Sequence, residues 1–348
     1  MTQVEQGTST DYVAPHLPFA LMRARLTLRL LVPTTLPPYK GALLRGGFGY
    51  AFQRTCCPQP CWNHSHTCAV DALCPYRWVF ETPHPPNVDH LHDLQDVPRP
   101  FVIEPPLDHK RQYAAGDTLE FGLTLIGRGI DFLPYFLFGF EQLGKMGLGR
   151  DNAPFRLERV EALRPWQTAG AVVYQDGRVT TGDRRPETGA TPATPAGLPH
   201  YDGAVLAAQA AKLPADLRLT MQTPLRVKAR GAFIERVDVP AMVQSIGWRL
   251  NALAAFHGDG PWDYDYRPLV EQARSVVVEQ SQVQWVDWER TSTRGGQAQK
   301  MKLGGLIGSA VLRNVPVALR TLLLAGSLVH VGKAAVFGHG GIALTSHM

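Results

Sequence analysis

The order of hydrophobic patterns in the first half of the chain recurs in the second, and that recurrence constrains the fold more than any single residue does. Residues 20–32 alternate, with Leu26, Leu28 and Leu30 set between Arg25, Thr27 and Arg29, which is the period of a half-buried strand. Pro33, Pro37 and Pro38 end it, and YKGALLRGGFGYAFQR at 39–54 reads as a glycine-containing helix. Strand signals follow at 77–81, 99–104 and 118–127, the last with Phe121, Leu123 and Leu125 on one face. An apolar helix at 130–143 runs into the glycine turn LGKMGLGR, and a strand at 155–160 closes the half. The second half offers a strand at 217–228, a helix at 240–256, strands at 281–290 and 301–313, a helix at 316–324 and a glycine-rich turn at 326–341. Strand, helix, two strands, helix and strand is the β-α-β-β-α-β order of a ferredoxin-like unit. The sequence therefore predicts an α+β chain of two such units in tandem.

The expected boundaries are 1–163 for an N-terminal domain with a cysteine-rich insertion at 56–74, and 204–348 for a C-terminal domain. Between them, residues 164–203 hold a hairpin signal at Asp176-Gly177 and then TGDRRPETGATPATPAGLPH, a composition expected of a mobile connection. With 45% hydrophobic and 19% charged residues, both halves have the material for a core. The longest apolar stretch, 315–331, is interrupted by Arg320 and His330, and the N-terminus carries Glu5 and Asp11 where a signal peptide would be basic and then apolar. A cytoplasmic protein with no membrane partner is expected.

Charge is unevenly placed. The formal net charge is +5. From residue 290 onward Arg290, Arg294, Lys300, Lys302, Arg313, Arg320 and Lys333 stand with no acidic residue among them. A basic, glycine-rich segment of this kind suits a polyanion-binding face. The glycine-rich turn inside it is not a nucleotide-triphosphate loop. Five residues separate Gly326 from Gly332, and Ala334 follows Lys333 where Ser or Thr is needed. What it offers instead is backbone N–H groups at Gly332, Gly338 and Gly340 that could meet phosphates, with His330, Lys333 and His339 beside them.

The cysteines form a second constellation. Cys57, Cys61, Cys68 and Cys74 follow one another with three, six and five residues between, and Cys56, His64 and His66 lie in the same loop. Clustered thiols in a reducing compartment suit a metal better than disulfides. Four thiolates from one loop fit a structural zinc, with an iron–sulfur cluster as the alternative.

Two segments, VDWERTSTRGGQAQKMKLGGLIGSAVL at 286–312 and LLLAGSLVHVGKAAVFGHGGI at 322–342, resemble the C-terminal portion of the Cas-six family, CRISPR-associated endoribonucleases of the RAMP superfamily. RGGFG, CPYRWVFE, PRPFVIEPP, GDTLEFGLTLIG and EQLGKMGLGR extend the resemblance through the N-terminal half. The chain departs from the family pattern at Thr291 and Gly295, where an aromatic residue and a glutamine are usual, which bears on one stacking contact to RNA.

The resemblance implies tandem RRM-like domains that bind a CRISPR repeat RNA and process it into guide RNA, in company with other Cas proteins. It implies cleavage without a catalytic metal, by internal attack of a ribose 2′-oxygen. Such a step needs a base, a charge stabiliser and in-line positioning. His330 is the expected base and Lys333 the expected stabiliser. His64 and His66 are the alternatives, because related enzymes often carry the histidine after the first helix. Arg290, Arg294, Lys300 and Lys302 are expected to hold RNA, with Tyr39, Lys40 and Arg45 at the head of the first helix facing the same cleft. A RAMP subunit that holds guide RNA without cutting it, and a metal-stapled nucleic-acid-binding protein unrelated to CRISPR, are the competing expectations.

Overall fold

The computed structural model describes residues 15–56, 68, 74–84, 91, 94, 97–180, 197–287, 289–292 and 299–347. The first unit runs β1 (Leu21–Leu30), β2 (Thr34–Thr35), α1 (Gly41–Cys56), α2 (Pro75–Phe80), β3 (Phe101–Glu104), β4 (Gln112–Tyr113), β5 (Thr118–Ile126), α3 (Leu133–Met146), β6 (Phe155–Leu163), β7 (Gly170–Gln175) and β8 (Arg178–Val179). Its main sheet has the order β3-β5-β1-β6-β7-β8 with antiparallel neighbours. The second unit runs α4 (Gly203–Lys212), β9 (Leu217–Leu225), β10 (Lys228–Ala229), β11 (Ala232–Phe233), α5 (Val239–His257), α6 (Arg267–Gln272), β12 (Val277–Val286), β13 (Glu289–Ser292), β14 (Gln299–Lys302), β15 (Gly305–Arg313), α7 (Val317–Val329) and β16 (Ile342–Ser346). Its sheet has the order β12-β15-β9-β16. Taken by place in each unit, both sheets put the second strand outermost, then the third, the first and the last. That is the ferredoxin-like order, and the hairpin after β6 simply lengthens the first sheet.

Alternation in β1 decides which face of the first sheet is covered. Met22, Ala24, Leu26, Leu28 and Leu30 are buried under α1 and α3, where Phe48 stacks on Phe136 and Phe140. Leu21, Val102 and Ile126, on the other face, are buried together with Ile246, Leu250 and Leu328 of α5 and α7. The helices of the second unit thus close the end of the first unit's sheet. Farther along β1 that face carries ion pairs, Arg29 on Glu158 and Arg25 on Glu161.

Three expectations are corrected. Residues 77–81 lie in α2 and its cap: Pro75 opens the helix, and Tyr76, Val79 and Phe80 recur at helical spacing and are buried. The helix predicted at 316–324 continues to Val329, taking in Gly326, whose missing Cβ leaves room for the Ile246 side chain. Helix α4, capped by the Asp202 carboxylate on the Val205 N–H, was not foreseen. The 181–196 connection lies outside the described residues.

The outer strand β12 is irregular. Its pairing with β15 shifts between Glu279 and Gln282, and Gln280 sits there at φ 43°.

The two units meet through the chain after α7. Gly338, at φ 81°, lies against Pro105 and the Ile103 carbonyl of the first unit, where an added Cβ would overlap both. A Gly338→Ala variant combines that clash with a left-handed backbone and should destabilise the protein by about 1–3 kcal/mol or more. A lowered thermal midpoint checks this, and an unchanged one would show that the contact is dispensable.

Candidate nucleic-acid interface

The glycine-rich turn is a packed seam. His330 caps α7 at φ 61°, and the chain then forms a short 3-10 turn at Ala335–Phe337 before β16. Five of its backbone donors are engaged: Val331 N–H bonds the Gly340 carbonyl, Lys333 the Arg226 carbonyl, Phe337 the Ala334 carbonyl, Gly338 the Ala335 carbonyl and Gly340 the Pro224 carbonyl. The buried Thr223 hydroxyl donates to the Gly338 carbonyl (2.6 Å) and accepts from the Gly341 N–H (2.8 Å). Gly332 lies on the Arg226 backbone with no room for a side chain. Of the glycines expected to form a phosphate cradle, Gly338 and Gly340 are buried with their N–H groups bonded within the protein, while Gly332 is half-buried and close backbone packing accounts for its lack of a side chain.

The histidines of the turn face inward. His330 is 4% exposed and its Nδ1 donates to the His339 carbonyl (2.9 Å). Burial lowers its pKa, with Arg249 and Arg23 adding to the effect while Glu104 opposes it. His339 is fully buried, edge-on to Tyr39 at 5.2 Å, and burial, helped by Arg226, holds it down to about 3. His330, the expected base, and its neighbour His339 are thus interior residues in this conformation. Burial raises the Glu104 pKa, yet Arg23, bonded at 2.5 and 3.1 Å, outweighs it and holds the carboxylate low.

The head of α1 joins the same seam. Tyr39 Oη donates to the Phe337 carbonyl (2.8 Å). Arg45 lies over the rings of Phe80 (4.6 Å) and Phe101 (5.4 Å). Lys40, expected in an RNA cleft, is buried with Nζ 3.4 Å from Asp108. Tyr39 thus ties the first unit to the second, while Arg45 and Lys40 are held against groups of the first unit.

The open surface lies beside the seam. Lys333 is exposed at the end of the turn, and its N–H bond to the Arg226 carbonyl joins it to the β10–β11 hairpin. Arg230 at φ 50° and Gly231 at φ 85° make the two-residue turn of that hairpin. Lys228 and Arg230 are exposed, Arg226 and Lys228 lie 4.4 and 5.4 Å from the Phe233 ring, and Trp285 of β12 stands 5.9 Å from it. Cations held over an aromatic shelf can take phosphate and base together. Sequence reasoning passed over this group. The alternation of Arg226, Lys228 and Arg230 before a glycine was its one signal, since Trp285 is brought in only by the sheet.

Of the other expected residues, Arg290, Lys300 and Lys302 fall in the β13–β14 ladder, where only the backbone is described. Cys57, Cys61, His64, His66 and Arg294 lie outside the described residues. Cys74 is buried and Cys68 partly so, and among the described residues no group of three or more metal-ligating side chains gathers. Among them, too, no helix is long and apolar enough to cross a membrane.

Comparison with known proteins gives two partial family matches. Residues 17–187 match a family model described as an N-terminal domain, and residues 219–342 match the model of CRISPR-associated endoribonuclease Cas6. An uncharacterized protein of Archaeoglobus fulgidus is 31% identical over 146 residues, which is 41% of this chain and 46% of that protein. A partial Cas6-RT-Cas1--Cas2 complex superposes with a TM-score of 0.58 at 15% identity, covering 97% of this chain and 48% of that one. A Cas6 product complex does so at 0.50 and 16%, covering 93% and 99%. The chain thus spans under half the length of the first relatives it matches, while the fold is shared nearly end to end.

The buried histidines make stability depend on pH. Burial also holds His257, bonded to the Pro98 carbonyl, at about 4 against an ordinary 6.5. His257, His330 and His339 all have folded pKa values below the unfolded one, so the unfolded chain takes up protons that the folded chain refuses. Stability present above pH 6.5 should fall as the pH drops through the window toward 3 to 4, by up to ~1.4 kcal/mol per pH unit for each such histidine. Thermal melts from pH 7 to pH 5 should show a falling midpoint, with a shallower slope in His257→Gln; a flat series would contradict the assignment.

Proposed function

We propose that this chain, whose residues 219–342 match the model of CRISPR-associated endoribonuclease Cas6, binds the repeat of a CRISPR precursor RNA and cuts it without a catalytic metal. The observation that carries the RNA-binding part is the shelf of Arg226, Lys228, Phe233 and Trp285 beside the exposed Lys333. It lies in the family-matched domain, next to the ladder that carries Arg290, Lys300 and Lys302.

The reaction in this reading is attack of the ribose 2′-oxygen on the adjacent phosphorus, with departure of the 5′-oxygen. A 2′,3′-cyclic phosphate and a 5′-hydroxyl result. Lys333 offsets phosphate charge at the seam, while the interior His330 keeps the turn in place. His64 and His66 stand as candidate bases. In the same reading Cys57, Cys61, Cys68 and Cys74 hold a structural zinc or iron–sulfur cluster that fixes the loop after α1 and takes no part in the chemistry. Other Cas proteins are the fitting partners, since the solved structure matched at 0.58 is a partial Cas6-RT-Cas1--Cas2 complex, and a cytoplasmic location goes with the substrate.

Lys228→Ala with Arg230→Ala should weaken repeat-RNA binding and lower the salt slope by roughly 1.4 to 1.8 if each contacts one phosphate. Trp285→Ala should cost about 1–3 kcal/mol of binding if a base stacks there. Binding and cleavage of repeat RNA are then followed with excess chelator and with a 2′-deoxy nucleotide at the scissile position. Cutting that persists in chelator and stops on the deoxy substrate supports the reading. Binding without any cutting instead favours a guide-RNA-holding RAMP subunit.

A further inference from the structure

We propose that the open cleft lined by Thr35, His109, Lys110, Arg111 and Gln112 receives the scissile phosphate, and that His109 takes the 2′-hydroxyl proton there; this rests on reading the chain as an RNA-cutting enzyme. The cleft has a volume of about 600 Å³ and lies in the loop between β3 and β4.

Its frame is fixed and two of its groups are free. The Asp108 carboxylate accepts from the Lys110 N–H (2.9 Å), Lys110 Nζ pairs with Asp117 (2.8 Å) and lies 4.6 Å from the Tyr113 ring, and the Leu36 N–H bonds the Arg111 carbonyl (2.8 Å). The β2–β4 ladder holds Thr35 opposite Gln112. The side chains of His109 and Arg111 are exposed and, among the described residues, form no ion pair or side-chain hydrogen bond. The other exposed histidines of the described chain are occupied differently, His16 against Trp262 and Tyr264 and His84 against Phe256. His109 is the one flanked by two cations in an open cleft.

The cleft is also near the seam. Leu36 touches its wall and Tyr39 bonds the glycine turn, so the connecting residues span at most roughly 11–14 Å. In the step, the 2′-hydroxyl proton passes to a His109 ring nitrogen, the O2′–P bond forms and the P–O5′ bond breaks. The proton returns through solvent to the departing 5′-oxygen, so atoms and charge balance without a co-reactant. Arg111, with Lys110 beside it, supplies positive charge to offset the phosphorane oxygens.

Single-turnover cleavage of repeat RNA by the full chain tests this, with binding measured in parallel. His109→Ala should slow cleavage about 100-fold or more while affinity stays within about twofold, and the rise of rate with pH on the acidic side should disappear. Arg111→Ala should both slow cleavage and weaken binding. Both side chains are exposed in a loop, so folding is not at stake. A His109→Ala protein that cuts at the wild-type rate with the wild-type pH profile overturns the assignment alone. Wild-type protein that binds the RNA and leaves it intact overturns the enzyme reading together with it.

Discussion

The structure depends on how closely two backbones can approach where the units meet. At Gly338 the turn after α7 sits on Pro105 and Ile103 of the first unit, and at Gly41 the start of α1 sits on the Phe337 carbonyl. Neither site has room for even a methyl group. Because the backbones are in contact, the Tyr39 hydroxyl reaches the Phe337 carbonyl, and Arg45 stacks on rings of the first unit at the same junction. Glu104 and Arg23 of the first sheet then fall close enough to the interior of the second unit to act on His330.

Much of the architecture was legible because it rests on local periodicity. The alternation of leucines and arginines in β1 and the apolar stripe of α3 are readable by themselves, and their recurrence in the second half fixes the tandem order. The misassigned segments are those where tertiary contact overrides pattern. Trp78, Val79 and Phe80 have strand-like composition, but Pro75 starts a helix and the phenylalanine core of α1 and α3 receives Val79 and Phe80. Gly326 looked like a turn residue and is the point at which α7 lets Ile246 in.

The candidate site was less legible for a related reason. A glycine-rich basic turn signals close approach of something to the backbone, and sequence cannot say whether that something is phosphate or protein. Here the turn packs on protein, so His330, His339, Gly338 and Gly340 are interior, Gly332 is half-buried, and Lys333 is outside. The exposed groups come from segments distant in sequence: Trp285 meets Phe233 only through the pairing of β12 with β15 and of β15 with β9. His109 and Arg111 were hidden by an ordinary-looking loop, since nothing in PLDHKRQY reports that Asp108 and Asp117 would restrain the backbone and Lys110 and leave the other two free.

The shifted pairing in β12 bears on how the second sheet ends. An outer strand offers a row of unpaired N–H and C=O groups, and a flat row of that kind can recruit the edge of another copy. Between Glu279 and Gln282 the register passes over Gln280 and Ser281, Gln280 turns to a left-handed conformation, and the side chains there are polar and exposed. A bulge of this sort twists the edge out of line with any straight neighbour. The β12 edge is thereby a poor template for a straight neighbouring strand, beside the hairpin that follows it in the chain.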